Sequence, residues 1–266
     1  MTFSKTLVGL AVATAFAAAH AAPVVYNGFT QNPTCSSGGG LGSNACSTLF
    51  APSGAALAER NAFYSSLTAG VSTQDFESTP ASTVPPLVLN FGFAGTATVT
   101  GLGSVLANDP VDVIPFGRFA TSGTQYFSTS VGGTQTLEIG FSQKVAAFGF
   151  YGIDLGDVGG SVELDLFDGT TLVTSVTVQP SLGNGFFSEL NGSMRFFGLA
   201  YTTNSFDRIR FNLTGNSGDP DVFAFDDLVV ADAKQVLPPN RTPEPGSLAL
   251  VGAALALAGA ARRRRG

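Results

Sequence analysis

Residues 161–178 read SVELDLFDGTTLVTSVTV, and this stretch decides the fold class. From Ser161 to Phe167, apolar residues alternate with polar ones, as in a strand with one face on a core and the other in solvent. Asp168-Gly169 follows, and Asp-Gly between two β-rich runs is a strong hairpin signal. The stretch therefore predicts two antiparallel strands joined by a tight turn.

The same period of two continues through most of the chain from residue 71. About ten to twelve short strands separated by turn residues predict an all-β protein, most simply a jelly-roll-like β-sandwich. In residues 206–213, the apolar side chains should face the core and the polar ones solvent. The core set is Phe206, Ile209, Phe211 and Leu213, and the solvent set is Arg208, Arg210 and Asn212. Residues 101–124 are rich in Gly, Pro and Asp and predict one long loop region.

One short helix precedes the strands. Residues 55–67 are dense in Ala, Leu, Glu and Arg, which favour helices. Leu57, Phe63, Tyr64 and Leu67 form an apolar stripe along it. We expect this helix to pack on one end of the β domain.

Both ends of the chain carry segments of a different kind. Residues 1–21 combine Lys5, an apolar run and the small-x-small site Ala19-His20-Ala21, which together predict a signal peptide that signal peptidase removes. At the other end, the apolar residues 247–261 form a stretch of about 15 residues that spans about 22 Å as a helix. Because a bilayer core is about 30 Å thick, this is a marginal membrane span.

Pro243-Glu244-Pro245 stands before that apolar stretch, and the arginines Arg262, Arg263, Arg264 and Arg265 follow it. The positive-inside rule keeps these arginines cytoplasmic and places residues 22–242 outside. The order of the three features resembles the PEP-CTERM sorting signal. The resemblance implies cleavage near Pro-Glu-Pro by the membrane protease exosortase. It also implies a Gram-negative host that makes exopolysaccharide, with membrane attachment only before processing.

These patterns divide the chain into five segments. They are a signal peptide (1–21), an N-terminal segment with a Cys loop and the helix (22–70), a β-sandwich domain (71–231), an extended linker (232–242) and the sorting signal (243–266). The body also resembles the jelly-roll, lectin-like domains common in PEP-CTERM proteins. That likeness rests on Asp75-Phe76-Glu77 and on residues 120–126, 145–150 and 225–230. Such domains are structural or carbohydrate-binding more often than catalytic.

Composition excludes several chemistries. The only histidine is His20, inside the signal peptide, so the mature body has no Ser-His-Asp triad, Cys-His dyad or His-ligated zinc. Processing would remove five of the 13 basic residues and one of the 19 acidic ones, which leaves a net charge of −10. This charge argues against nucleic acid as a partner. Cys35 and Cys46 are predicted to form a disulfide in an oxidising compartment.

Four acidic residues are candidate ligands for a structural Ca²⁺, the only cofactor the sequence points to. They are Asp75 and Glu77 near the start of the β region and Asp226 and Asp227 near its end. The first and last strands of a jelly roll are often neighbours, and oxygen clusters suit Ca²⁺. Alternatively, these acids cap turns or bind Arg208 or Arg210.

Other acids have a simpler interpretation. Asp154 and Asp157, like Asp219 and Asp221, lie in loops where we expect solvated turn residues. Glu163, Asp165 and Asp168 could serve a carboxylate-pair glycosidase, although Glu163 and Asp165 have the spacing of a solvated strand face. Five tyrosines and no tryptophan leave few polar aromatic platforms for sugar.

The sequence thus predicts an exported, exosortase-sorted, non-enzymatic protein of the cell surface or extracellular matrix, with a structural or adhesive role beside exopolysaccharide. A carbohydrate-binding, lectin-like module is the alternative. A polysaccharide hydrolase is a third, minor possibility.

Overall fold

A computed structural model describes residues 22–33, 51–108, 117–183, 190–215, 218 and 220–238. The predicted signal peptide, the Cys35–Cys46 loop, Asp219 and the sorting signal lie outside these residues. In the described ranges, no helix is long and apolar enough to cross a membrane.

Within the same residues the chain forms thirteen strands, one α-helix and one 3-10 turn, Gly92–Ala94. They are β1 (Val24–Thr30), α1 (Gly54–Ser65), β2 (Ser72–Gln74), β3 (Leu87–Asn90), β4 (Thr96–Gly101), β5 (Ser104–Ala107), β6 (Gln125–Val131), β7 (Thr134–Val145), β8 (Ala147–Ile153), β9 (Ser161–Asp168), β10 (Thr171–Gln179), β11 (Met194–Ala200), β12 (Phe206–Thr214) and β13 (Asp221–Ala231).

Two antiparallel sheets pack face to face, which confirms the predicted β-sandwich. One has six strands in the order β10-β9-β12-β7-β4-β3. The other has seven strands, in the order β1-β11-β8-β13-β6-β5, with β2 beside β13. The predicted Asp168-Gly169 hairpin joins β9 to β10. The first strand of the β region, β2, is also the neighbour of the last, as expected for a jelly roll.

Alternation along each strand places the core between the sheets. In β12, the side chains of Phe206, Ile209, Phe211 and Leu213 are buried, and the polar residues between them are partly exposed, as predicted. Aromatic rings dominate the centre, where Phe150 contacts Phe211 and Phe225 with ring centroids 5.6 and 5.4 Å apart. Such aromatic contacts stabilise a core beyond the area they bury.

A second apolar cluster lies on the outer face of the seven-stranded sheet. The helix α1 covers this face, and not one end of the domain as the sequence led us to expect. The reason is a hollow left by two glycines: a Cβ added at Gly198 would lie 2.8 Å from the ring of Phe63, and one at Gly149 would lie 3.0 Å from it. Phe63 fills that hollow and contacts Phe196.

Two other expectations need correction. Ser104–Ala107, inside the predicted loop region 101–124, is strand β5, because Val105 is wholly buried and β5 pairs with β6. The start of the predicted linker is also not extended away from the domain. Thr68 N donates to Gln235 O and Leu237 N donates to Ser66 O, so this segment packs beside the end of α1.

The chain enters and leaves the described domain at the same end. One row of paired residues crosses four strands of the seven-stranded sheet and contains Val24, Ala200, Ala147 and Ala231. Val24 begins β1 and Ala231 ends β13, so both outer segments emerge from this end.

A hydrogen-bond network joins the two sheets at their edge strands β1 and β10. Arg195 on β11 donates to Asn27 Oδ1 at 2.7 Å and to Gln179 Oε1 at 2.8 Å. Asn27 Nδ2 in turn donates to the carbonyl of Val178 on β10, at 3.3 Å. One guanidinium therefore ties both sheets together.

Candidate functional site

The four acids predicted to bind calcium lie on both sides of one loop. Asp226 is fully buried and accepts the Thr121 N–H at 2.6 Å, while Asp227 accepts the Ser122 hydroxyl at 2.6 Å. Burial, and then the charge of Asp227, raise the pKa of Asp226 to about 8. The loop that supplies these donors therefore covers the two carboxylates.

The other two acids lie on the far side of that loop. Glu77 accepts the backbone N–H groups of Thr124 and Gln125, and Asp75 accepts the N–H of Glu77. Burial opposes these hydrogen bonds, but they hold the pKa of Glu77 below its usual value. No set of three or more His, Cys, Asp or Glu in the described ranges is arranged to hold a metal ion. Neither Arg208 nor Arg210 binds these acids, since both pair with Glu138. Calcium binding at these four residues stays a prediction.

Three other aspartates are buried, where the sequence predicted solvated turns. Asp154 and Asp157 follow β8 and are each 3% exposed, and Asp221, the first residue of β13, is fully buried. Asp154 accepts the Gly192 N–H at 2.6 Å, and Asp221 accepts the Gly160 N–H at 3.2 Å. Loops from distant parts of the chain thus supply the donors that sequence spacing could not reveal. Burial raises the pKa of all three carboxyls.

A surface cleft of about 310 Å³ lies beside the β9–β10 hairpin. Its walls combine one carboxylate, three hydroxyls, one amide and two apolar side chains, contributed by Asp168, Thr171, Leu172, Val173, Thr203, Asn204 and Ser205. Only Asp168 was a candidate from the sequence, because loop 201–205 carries no local motif. A cleft at this lower limit of size for ligand pockets holds a small polar group or one end of a longer ligand.

Neighbouring strands contact the residues that form the cleft. Lys144 Nζ lies 2.7 Å from the carboxylate of Asp168. The turn residue Gly169 donates its N–H to Asp207 at 3.0 Å and accepts a hydrogen bond from Arg208 at 3.3 Å. The carboxylate therefore has a neighbouring positive charge, and the hairpin turn is fixed to β12.

We call the outer side of the six-stranded sheet the open face; Leu172, Phe167, Glu138, Arg208 and Thr98 belong to it. No described element covers it. Glu138 Oε2 accepts from Arg208 Nη1 at 2.7 Å and from Arg210 Nε at 3.1 Å. Burial would raise the pKa of Glu138, but these arginines lower it. Both guanidinium groups also lie over the ring of Phe167, at 4.2 and 5.1 Å.

The hydrolase candidates lie on or beside this open face. Asp165 accepts the Ser175 hydroxyl at 2.5 Å and the Asn212 amide at 2.8 Å, so both of its oxygens have protein donors. Glu163 is exposed two residues earlier on the same strand. Asp168 lines the cleft at the end of that strand.

Comparison with known proteins adds only remote likenesses. No protein-family model and no curated protein matches the chain. Among solved structures, the K2 cleaved adhesin domain of Lys-gingipain aligns with 61% of this chain and 99% of that domain, at 14% identity and a TM-score of 0.41. The module TmCBM61 in complex with β-1,4-galactotriose aligns over 60% and 94%, at 14% identity and a TM-score of 0.31.

An α-1,3-glucanase catalytic domain of the GH87 type, in complex with nigerose, is also similar. It aligns with 68% of this chain and 31% of that domain, at 15% identity and a TM-score of 0.34. At these scores the likenesses concern the arrangement of strands alone.

Proposed function

We propose that this protein is an exported surface protein that binds a neutral polysaccharide through the cleft at the β9–β10 hairpin. The observation that carries the proposal is the lining of that cleft. Hydroxyl, amide and carboxylate groups can exchange hydrogen bonds with sugar hydroxyls, and Leu172 and Val173 offer an apolar wall to the C–H face of a ring.

Charge favours a neutral ligand. Asp168 is paired with Lys144, and Glu138 on the open face is paired with two arginines. The whole chain is acidic, with a formal net charge of −6 before any processing. A polyanion would therefore meet long-range repulsion and find no unpaired basic cluster at the cleft.

Binding is better supported than hydrolysis. Glycosidases use two carboxyl groups on opposite sides of the scissile bond. Asp165 is held by Ser175 and Asn212 on the open face, whereas Asp168 pairs with Lys144 at the cleft. The described residues contain no histidine to serve as an alternative base.

The export and sorting part of the proposal rests on the terminal segments. We propose that signal peptidase cleaves after Ala21 and that exosortase cleaves near Pro243, which leaves the β-sandwich at the surface or in the matrix. Intact mass of the protein recovered from its host should match a product from Ala22 to the Pro243 region. A mass that includes Arg262–Arg265 would contradict the sorting proposal.

Affinity electrophoresis through gels that contain dextran, laminarin or galactan tests the binding proposal. We expect at least one neutral polymer to retard the protein and Asp168→Ala to weaken that retardation at least tenfold, the equivalent of about 1.4 kcal/mol. Glu163→Gln, on the same strand but outside the cleft, is the matched control and should bind like wild type. Equal mobility of wild-type protein in all gels and in a polymer-free gel would contradict the proposal.

A further inference from the structure

Gly140 stands in the interior of a long strand. It lies within the 12-residue strand β7 and pairs with Arg208 on one side and Thr98 on the other. The register with β12 shifts directly after the Arg208 pair, but Gly140 has no positive φ, so this irregularity does not itself require glycine. Glycine inside a strand weakens it, because it adds no packing and loses more chain entropy on folding. The presence of glycine at this position therefore needs an explanation.

Neither the backbone nor the packing of the chain supplies that reason. The φ angle of Gly140 lies outside the left-handed region that favours glycine. A Cβ built on Gly140 would meet no atom within 4 Å, so a side chain there would point into open space above the open face. A glycine with neither role marks a place where a ligand or another backbone comes close.

Gly140, which has no side chain, belongs to a row of residues that crosses the whole six-stranded sheet. Strand pairing places Leu172, Phe167, Arg208, Gly140, Thr98 and Val88 side by side, one from each strand. Five interstrand steps make the row about 24 Å long. Its two ends are exposed apolar side chains, since Leu172 is 51% exposed and Val88 is 71% exposed.

The row begins at the cleft. Leu172 lines the cleft and also opens the row, so the two surfaces are continuous. The one charged residue of the row, Arg208, pairs with Glu138, which also pairs with Arg210. Asp165 is the cross-strand neighbour of Arg210, so the two arginines and two carboxylates in and beside the row sum to no net charge. The row therefore offers polar groups and two apolar ends to anything that lies across the strands.

We infer that Gly140 is the floor of an extended track on which a linear neutral polysaccharide crosses the sheet from the cleft towards Val88. This inference rests on the proposed binding function and specifies its ligand as a chain several sugar units long. The missing side chain lets a sugar ring approach the backbone of β7 between Arg208 and Thr98. A β-branched side chain at that position would occupy the same space.

The substitution Gly140→Val separates this role from a purely structural one. A branched residue suits a strand better than glycine, so the melting temperature should stay equal or rise. Binding of the polymer that retards wild-type protein should fall at least tenfold, while the constituent monosaccharide, which the cleft alone can hold, should bind as before. Gly140→Ser, with a smaller side chain, should weaken polymer binding by less.

Thr136→Val is the control, since it places a valine on the same face of β7, in the row that contains Asn212, by exchanging a hydroxyl for a methyl group. It should leave polymer binding unchanged. Polymer binding by Gly140→Val equal to wild type would overturn the track and leave the cleft proposal standing. Absence of binding by wild-type protein would overturn both.

Discussion

The two outer faces of the sandwich use mid-strand glycines in opposite ways. On the seven-stranded sheet, Gly149 and Gly198 leave a hollow that Phe63 of α1 fills completely. On the six-stranded sheet, Gly140 leaves a hollow that no atom of the described chain enters. The comparison shows how to distinguish a glycine needed for packing from one that leaves room for something outside the chain.

Loss of the ring that fills the covered hollow should have the largest effect. Because Phe63 is wholly buried against two glycines, Phe63→Ala should lower the free energy of unfolding by about 3–5 kcal/mol. Chemical denaturation measures the loss. Phe93→Ala is the control, since Phe93 is 87% exposed and its removal should change stability by less than about 0.5 kcal/mol. Equal effects of the two changes would break the contrast between a filled hollow and an exposed side chain.

The second prediction concerns calcium binding by the four acids beside the loop of residues 121–125. If Asp75, Glu77, Asp226 and Asp227 bind it, calcium at one hundred times its Kd should stabilise the fold by about 2.7 kcal/mol. Melting in EDTA and in calcium measures the shift, and Asp227→Asn should reduce it. Identical melting curves for wild-type protein in the two buffers would contradict calcium binding at this site.

The third prediction concerns how the stability of the fold depends on pH. Asp226 has a pKa of about 8 when folded, and an unfolded Asp has a pKa of about 3.9. Between these values the folded chain keeps a proton that the unfolded chain releases. The stabilisation is therefore full below about pH 4 and is lost as the pH rises through 8.

Calorimetry in EDTA at pH 5, 6.5 and 8 should accordingly show a falling melting temperature. The free energy lost should be at least about 1.4 kcal/mol, the value of one pKa unit. Asp157 and Asp221 shift in the same direction, whereas Glu77 and Glu138 act only below their ordinary pKa of 4.5. Asp226→Asn should reduce the slope, and Phe93→Ala, which removes no titratable group, should not. Stability that rises from pH 5 to pH 8 would contradict the burial of these carboxyls.

Local patterns predicted the strands well, because period-two alternation reports directly which side of a strand is buried. The residues of β12 and the Asp168-Gly169 turn lie where that alternation and turn chemistry place them. The burial of Asp154, Asp157 and Asp221 could not be predicted, since their environment comes from loops far apart in sequence. The cleft was missed for the same reason: Thr203 and Asp168 meet only after β9 and β12 have paired.

The shared end at which the chain enters and leaves the domain also has a consequence for orientation. The cleft opens at this end, because loop 201–205 directly follows Ala200. A domain tethered through its C-terminal side stands with this end towards its attachment, whereas the open face forms a side wall. A polymer that runs parallel to the supporting surface can thus lie across the open face, while the cleft faces the point of attachment.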